Sequence, residues 1–129
     1  MEKTAMLKVL APLAAALVLA APAQAQDAAA GKRAFLKCAA CHSIAKGAPN
    51  KIGPNLFGVV GRKAGTAPGF RYSAAMKVKG AGITWDAASL DKWLARPSAV
   101  VPGTSMAFGG VPNAAERASI IAYLKKPVP

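Results

Sequence analysis

Apolar positions along this chain recur with helical spacing in three segments and run almost without interruption in a fourth. In "NAAERASIIAYLKK", Ile120, Ile121 and Leu124 form one stripe with Tyr123 at its edge. Asn113 with Glu116 three residues on reads as a capping box, Lys125 and Lys126 suit the C-terminal dipole, and Pro127 ends the helix. In "DAASLDKWLAR", Leu90, Trp93 and Leu94 share a face, Asp86 caps the start and Pro97 stops the helix. In "DAAAGKRAFLKCAAC", Asp27 is the expected N-cap of an alanine-rich helix, with Gly31 and Phe35 four apart on one face. A glycine there lets another helix approach closely, so the first and last helices are expected to pack together. A shorter helical turn is expected from Ser73 to Lys79.

The uninterrupted run is Val9 to Ala20. It follows a short segment carrying Lys3 and Lys8 and precedes Ala21-Pro22-Ala23-Gln24-Ala25, which places small residues before a cut after Ala25. This is the layout of a secretory signal peptide over residues 1–25. The competing reading is an uncleaved anchor, but the run is short for a span of ~20 residues and contains Pro12. The mature domain is then residues 26–129, about 104 residues of the 129.

Between the first helix and the short turn lies Ser43 to Tyr72, rich in Gly and Pro and without helical or alternating period. A structureless stretch of ~30 residues is unusual in a small domain unless it wraps something rigid. Three separated helices also offer few apolar faces for one core. Both features point to a bound cofactor inside an all-α domain.

Charge narrows the partners. Lys and Arg total 17 against 5 Asp and Glu; removing Lys3, Lys8 and Glu2 leaves 15 against 4, or +11. Such a surface favours anionic partners and speeds encounter with them. Export and the scattering of the basic residues, never more than two in a row, argue against nucleic acid.

The chemistry is concentrated in "KCAACHS", which holds both cysteines and the single histidine. Cys38-Ala39-Ala40-Cys41-His42 matches the C-x-x-C-H attachment pattern of c-type haem. Each thiol adds to one porphyrin vinyl group, and the adjacent imidazole then lies under the iron. Three other readings compete. Structural zinc needs four ligands where the chain has three Cys and His residues. A thiol–disulfide exchanger belongs in a strand-rich setting that this pattern lacks. A plain disulfide leaves His42 without a role. With no second histidine, the sixth iron ligand is Met106 or Met76. Met106 is favoured because "PGTSMAFGG" is a Pro- and Gly-bounded loop that can aim a side chain at a fixed point. Closed His/Met coordination leaves one-electron transfer and no enzyme activity. A labile Met106 would instead allow a peroxidase or sensor.

The chain resembles the class I c-type cytochromes, close to the short bacterial cytochrome c2 and mitochondrial types. The likeness rests on "CAACH", "GPNLFGVVGRKAG", "APGFRYS", "GITW", "PGTSMAFGG" and "ERASIIAYLKK" in that order, and covers nearly all of residues 26–129. It implies the small all-α class I fold, three main helices and long loops around one covalent haem c. It implies that the Pro54 carbonyl accepts from His42, and that Arg62, Tyr72 and Trp85 bind a haem propionate. Thr104 and Phe108 would flank Met106, and Gly31, Phe35, Ile120 and Tyr123 would form the terminal-helix contact. Two haem-side positions depart from the family pattern: Met76 stands where many relatives have Asn, and Trp93 where a Tyr often sits beside the ligand Met. Ser98 and Ser105 replace docking lysines of the mitochondrial form, while Lys37 and Lys51 keep the expected front face. The resemblance further implies a monomeric periplasmic carrier. Its donor would be a cytochrome bc-type complex, and its acceptor a terminal oxidase or photosynthetic reaction centre.

Overall fold

A computed structural model describes residues 11, 15–17, 19 and 23–129; most of the expected signal peptide lies outside the described residues. Among the described residues six helices follow in order: α1 (Ala23–Ala34), α2 (Leu36–Ala39), α3 (Ala74–Lys79), α4 (Ala87–Ala95), α5 (Pro97–Val100) and α6 (Ala114–Lys125). Among the described residues the only β pairing is one isolated bridge, Lys63 with Thr84.

The terminal helices α1 and α6 pack together as the pattern anticipates. Gly31 makes this possible: a Cβ built there would lie 1.9 Å from the Ser119 carbonyl oxygen. The two backbones are therefore in direct contact. Phe35 and Tyr123 stack at a tilt beside them, with ring centroids 5.3 Å apart. Ile120 is fully buried in the same seam. Helix α4 packs on α6 and brings Leu90, Trp93 and Leu94 inward.

Several ends differ from expectation. α1 starts at Ala23, so Asp27 lies inside the helix and does not cap it. The preceding Ala and Gln residues sustain helix readily, and nothing in that stretch stops it. The single helix expected through Cys41 divides at Phe35, where the Cys38 N–H bonds the Phe35 carbonyl in a tightened turn. The capping box of α6 is half formed. Asn113 accepts from the Glu116 N–H at 3.0 Å, but the Glu116 carboxylate pairs with Lys37 on α2. Pro97 both stops α4 and opens the unanticipated α5, because its ring forces Arg96 into an extended conformation.

The stretch from Ser43 to Tyr72 contains no helix. Cross-chain backbone bonds hold it: Leu56 to Ser43 at 2.9 Å, Gly61 to Trp85 at 2.8 Å, and Ala64 to Ile83 at 2.9 Å. Asn55 adds side-chain bonds to the Ala45 and Ala48 carbonyls at 2.8 and 2.9 Å. Arg117 ties α6 to α4 through Asp91 at 2.7 Å, and reaches the Val111 carbonyl at 2.9 Å.

Two predictions follow from the helix contacts and caps. In Gly31→Ala, helix propensity gains about 1 kcal/mol. The clash with a backbone oxygen costs about 1–3 kcal/mol or more, so denaturant unfolding should show a net loss of stability. Asp86 accepts the Ser89 N–H at 2.7 Å, which holds its carboxyl below the ordinary range. Its folded-state value lies below its unfolded value, so its contribution is complete above about pH 4 and fades as pH falls through the folded value. Asp86→Asn keeps an acceptor that does not titrate, and its Tm should decline less steeply below about pH 4 than the wild type.

Candidate functional site

An apolar cavity of about 260 Å³ occupies the centre of the domain, between the helices and the irregular stretch. Its lining includes Cys38, Cys41, His42, Pro54, Arg62, Tyr72, Trp85, Trp93, Thr104, Met106 and Phe108. The structure thus brings together all eleven candidate residues, drawn from positions 38 to 108.

Helix α2 and the turn that follows it carry the attachment motif. The His42 N–H bonds the Cys38 carbonyl at 2.9 Å, continuing the helical turn so that thiols and imidazole share one side. The His42 ring is buried, 8% exposed. Its Nδ1 lies 2.7 Å from the Pro54 carbonyl. A carbonyl only accepts, so Nδ1 carries the proton and Nε2 presents a lone pair. Burial pushes the imidazole below its ordinary pKa, against the opposing effect of the Pro54 bond and aided by nearby Lys51. Neutral imidazole is the form that ligates a metal. Burial likewise raises the Cys38 pKa, with Lys37 opposing.

Gly53 belongs to this wall and was not singled out from the sequence. A Cβ there would lie 2.3 Å from the His42 Cε1, so the Gly53 backbone presses on the ring. The only sequence signal was the Gly-Pro-Asn turn itself. Phe35, Leu56, Val59, Leu94 and Leu124 complete the apolar lining. Phe35, Leu94 and Leu124 were expected on inward helix faces, and Leu56 and Val59 were given no separate role, because nothing in a sequence distinguishes a side chain facing a cavity from one facing another side chain.

The Met106 loop is pinned at both ends. Val101 is wholly buried on one side and Val111 nearly so on the other. The Val111 N–H bonds the Leu94 carbonyl at 2.7 Å. Thr104 Oγ1 accepts the Met106 N–H at 3.2 Å, fixing the backbone that carries the thioether. Met76 also lines the cavity, but its sulfur turns back on its own helix: a Cβ at Gly80 would lie 2.7 Å from it.

The polar groups of the cavity test what it can hold. Trp85 and Trp93 are buried and in tilted contact, with centroids 5.3 Å apart. Buried indole N–H groups normally find a partner. Neither of these has an acceptor among the described residues, and both residues line the cavity. Tyr72 Oη accepts the Ala67 N–H at 2.9 Å, which leaves its own proton to donate. Arg62 makes only long contacts, 3.4 Å, to the Phe57 and Asn55 carbonyls. A mainly apolar pocket with spare donors fits a flat hydrophobic ring bearing carboxylates. Two thiols and a preset imidazole on one wall fit its covalent attachment. The residues therefore fit haem c.

Cys38→Ala with Cys41→Ala removes the attachment of the group that fills this cavity. A domain of about 100 residues has little core to spare. Circular dichroism should show most helical content lost, and native-like helicity would contradict the cavity's role as core.

Comparisons with known proteins agree with this geometry. The family model for cytochrome c matches residues 28–126. Cytochrome c2 of Rhodoblastus acidophilus is 52% identical over 102 residues, covering 79% of this chain and 94% of that one. Cytochrome c2 of Rhodomicrobium vannielii is 48% identical over 116 residues, covering 89% and 91%. Among solved structures, cytochrome cH from Methylobacterium extorquens has a TM-score of 0.70 and 51% identity, covering 77% of this chain and 97% of that one. The chain belongs to the cytochrome c family: a small all-α electron-transfer protein, not an enzyme, whose haem c is attached through Cys38 and Cys41.

Proposed function

We propose that the protein is a periplasmic one-electron carrier with His42 and Met106 as the axial ligands of its haem iron. The observation that carries this reading is the convergence of a preset His42 Nε2 and a loop-anchored Met106 on one cavity. Bound haem supplies a one-electron couple at its iron. His42 and Met106 would be the two protein groups that hold the iron, leaving it no position for a substrate. Gly53 and the Pro54 carbonyl hold the imidazole in orientation, so it moves little between oxidation states. The buried Trp85 and Trp93, with Leu94 and Val59, keep water from the interior. Arg62, Tyr72 and Trp85 supply donors for a propionate that would otherwise be costly to bury.

Residues 1–25 act as a secretory signal cut after Ala25 in this reading. Leu17 and Leu19, 85% and 90% exposed, contribute nothing to the core. Among the described residues, no helix is long and apolar enough to cross a membrane. The mature chain would work as a monomer. It takes an electron from a cytochrome bc-type complex and passes it to a terminal oxidase or photosynthetic reaction centre. Its net charge of +11 draws it towards acidic surfaces from a distance, an effect that salt weakens.

The ligand assignment is tested by the red absorption band of an iron(III)–methionine bond. The band should vanish in Met106→Ala and survive in Met76→Leu. The opposite pattern would move the ligand to Met76.

A further inference from the structure

The Met106 loop leaves α4 and returns into α6, and its two halves are held differently. The incoming half is seated by α5, with Pro97 and Val101 buried, and by the Thr104 hydroxyl that accepts the Met106 N–H. The outgoing half, from Ala107 to Asn113, contains no helix and carries Gly109 and Gly110. Gly110 has φ 110°, and a Cβ there would lie 2.1 Å from the Ala95 carbonyl oxygen. The chain thus returns against the end of α4, where the Val111 N–H bonds the Leu94 carbonyl at 2.7 Å. Pro112 follows and has no N–H to add a second bond.

One side chain grips this half from outside. Arg117, in the first turn of α6, donates from Nη1 to the Val111 carbonyl at 2.9 Å and to the Pro112 carbonyl at 3.0 Å. Its Nε donates to the Asp91 carboxylate on α4 at 2.7 Å. Among the described residues no backbone N–H bonds either carbonyl. Asp91 lies one turn before Leu94, so one end of α4 receives both the loop's N–H and the arginine's charge. The Arg117 side chain is 14% exposed and that of Asp91 46%. A half-exposed ion pair contributes little attraction of its own. Its effect here is orientation: the carboxylate fixes a planar guanidinium whose other nitrogen holds the two carbonyls.

We propose that Arg117, oriented by Asp91, is a positioning residue that keeps the outgoing half of the Met106 loop seated and so controls how readily Met106 leaves the haem iron. It touches neither the cavity nor the thioether and acts through the Val111 and Pro112 backbone. Without it, the segment after Met106 keeps one backbone bond to α4 and two glycines that do not resist movement. A loop free to swing out would open a coordination position and move the protein from closed carrier towards the ligand-binding chemistry that a labile Met106 allows. This proposal rests on the His42 and Met106 ligation proposed above.

The test is imidazole binding to the oxidised holoprotein, followed by loss of the iron(III)–methionine band. The iron–sulfur bond breaks, an iron–nitrogen bond forms and no electron moves. At saturating imidazole the limiting rate is that at which Met106 leaves. Arg117→Met strips the two carbonyls of their donor and should raise that rate about tenfold. Asp91→Asn frees the guanidinium but keeps its carbonyl bonds, and should raise it about threefold. Arg117→Lys, which keeps a charged donor, should fall between wild type and Arg117→Met. Ile121→Val trims a buried core residue that does not line the cavity and should lower the denaturant midpoint without changing the rate. A rise below twofold in Arg117→Met would overturn the positioning role, as would an equal rise in Ile121→Val. If Arg117→Met yields no folded holoprotein, Asp91→Asn decides, and an unchanged rate there overturns the role. A band that persists in Met106→Ala would instead overturn the ligand reading, and the positioning role with it.

Discussion

The hydrogen bond from His42 Nδ1 to the Pro54 carbonyl joins the helical half of the domain to its irregular half. It settles three matters together. It selects the tautomer, which leaves Nε2 as a lone-pair donor. It aims the ring, with the Gly53 backbone closing one side. It also seats the turn around Pro54 on the end of α2, from which the rest of Ser43 to Tyr72 is laid round the cavity. The bonds from Leu56 to Ser43 and from Gly61 to Trp85 continue that attachment. A loop of such length is held not by its own secondary structure but by what it encloses and by the few carbonyls it can reach.

The most legible part of the site was contiguous in sequence. Cys38, Cys41 and His42 are one helical turn, so local spacing alone dictates that they share a side. Met106 was legible for a related reason: Pro102, Gly103, Gly109 and Gly110 mark a loop with little freedom. The helices α4 and α6 were legible through their apolar stripes and their caps, Asp86 and Asn113. The starts and partners that failed were those decided at a distance. Glu116 is three residues from Asn113, which suggests a capping box, yet Lys37, 79 positions away in sequence, takes its carboxylate. Nothing in the α6 sequence announces that competitor. Asp27 looked like a cap because helices often start at such residues, but helix formers precede it and the helix runs through. Gly53 showed only as the start of a Gly-Pro-Asn turn, because its role is the absence of a side chain facing a ring eleven residues away.

The docking lysines show the same limit more sharply. Lys37 and Lys51 stand where a basic front face is expected, and both are exposed. Residue type and exposure are not enough, since the structure gives each an internal partner. Net charge is a property of composition and acts over the Debye length. A docking face is a property of placement, set by which side chains border the opening. The excess of 17 Lys and Arg over 5 Asp and Glu belongs to the chain as a whole, while the exposed residues that line the cavity are Lys37, Ile52, Ser105 and Ala107.

The interior follows a parallel logic. Trp93 and Met76 are both buried against the cavity. An indole and a thioether offer few sites at which water could be held. What remains is an indole N–H at each tryptophan, donors without acceptors of their own. A dry, low-dielectric interior makes any charge within it more costly and each remaining hydrogen bond stronger. Met76 places a second thioether on the cavity wall, where it would compete with Met106 under the proposed ligand assignment. Gly80 counters it by leaving room for the Met76 sulfur to fold back on α3. Met106 faces no such retreat, because Val101 and Val111 hold its loop at both ends and Thr104 fixes its backbone. Under the proposed assignment, packing around their backbones separates the two methionines: one has space behind it and the other does not.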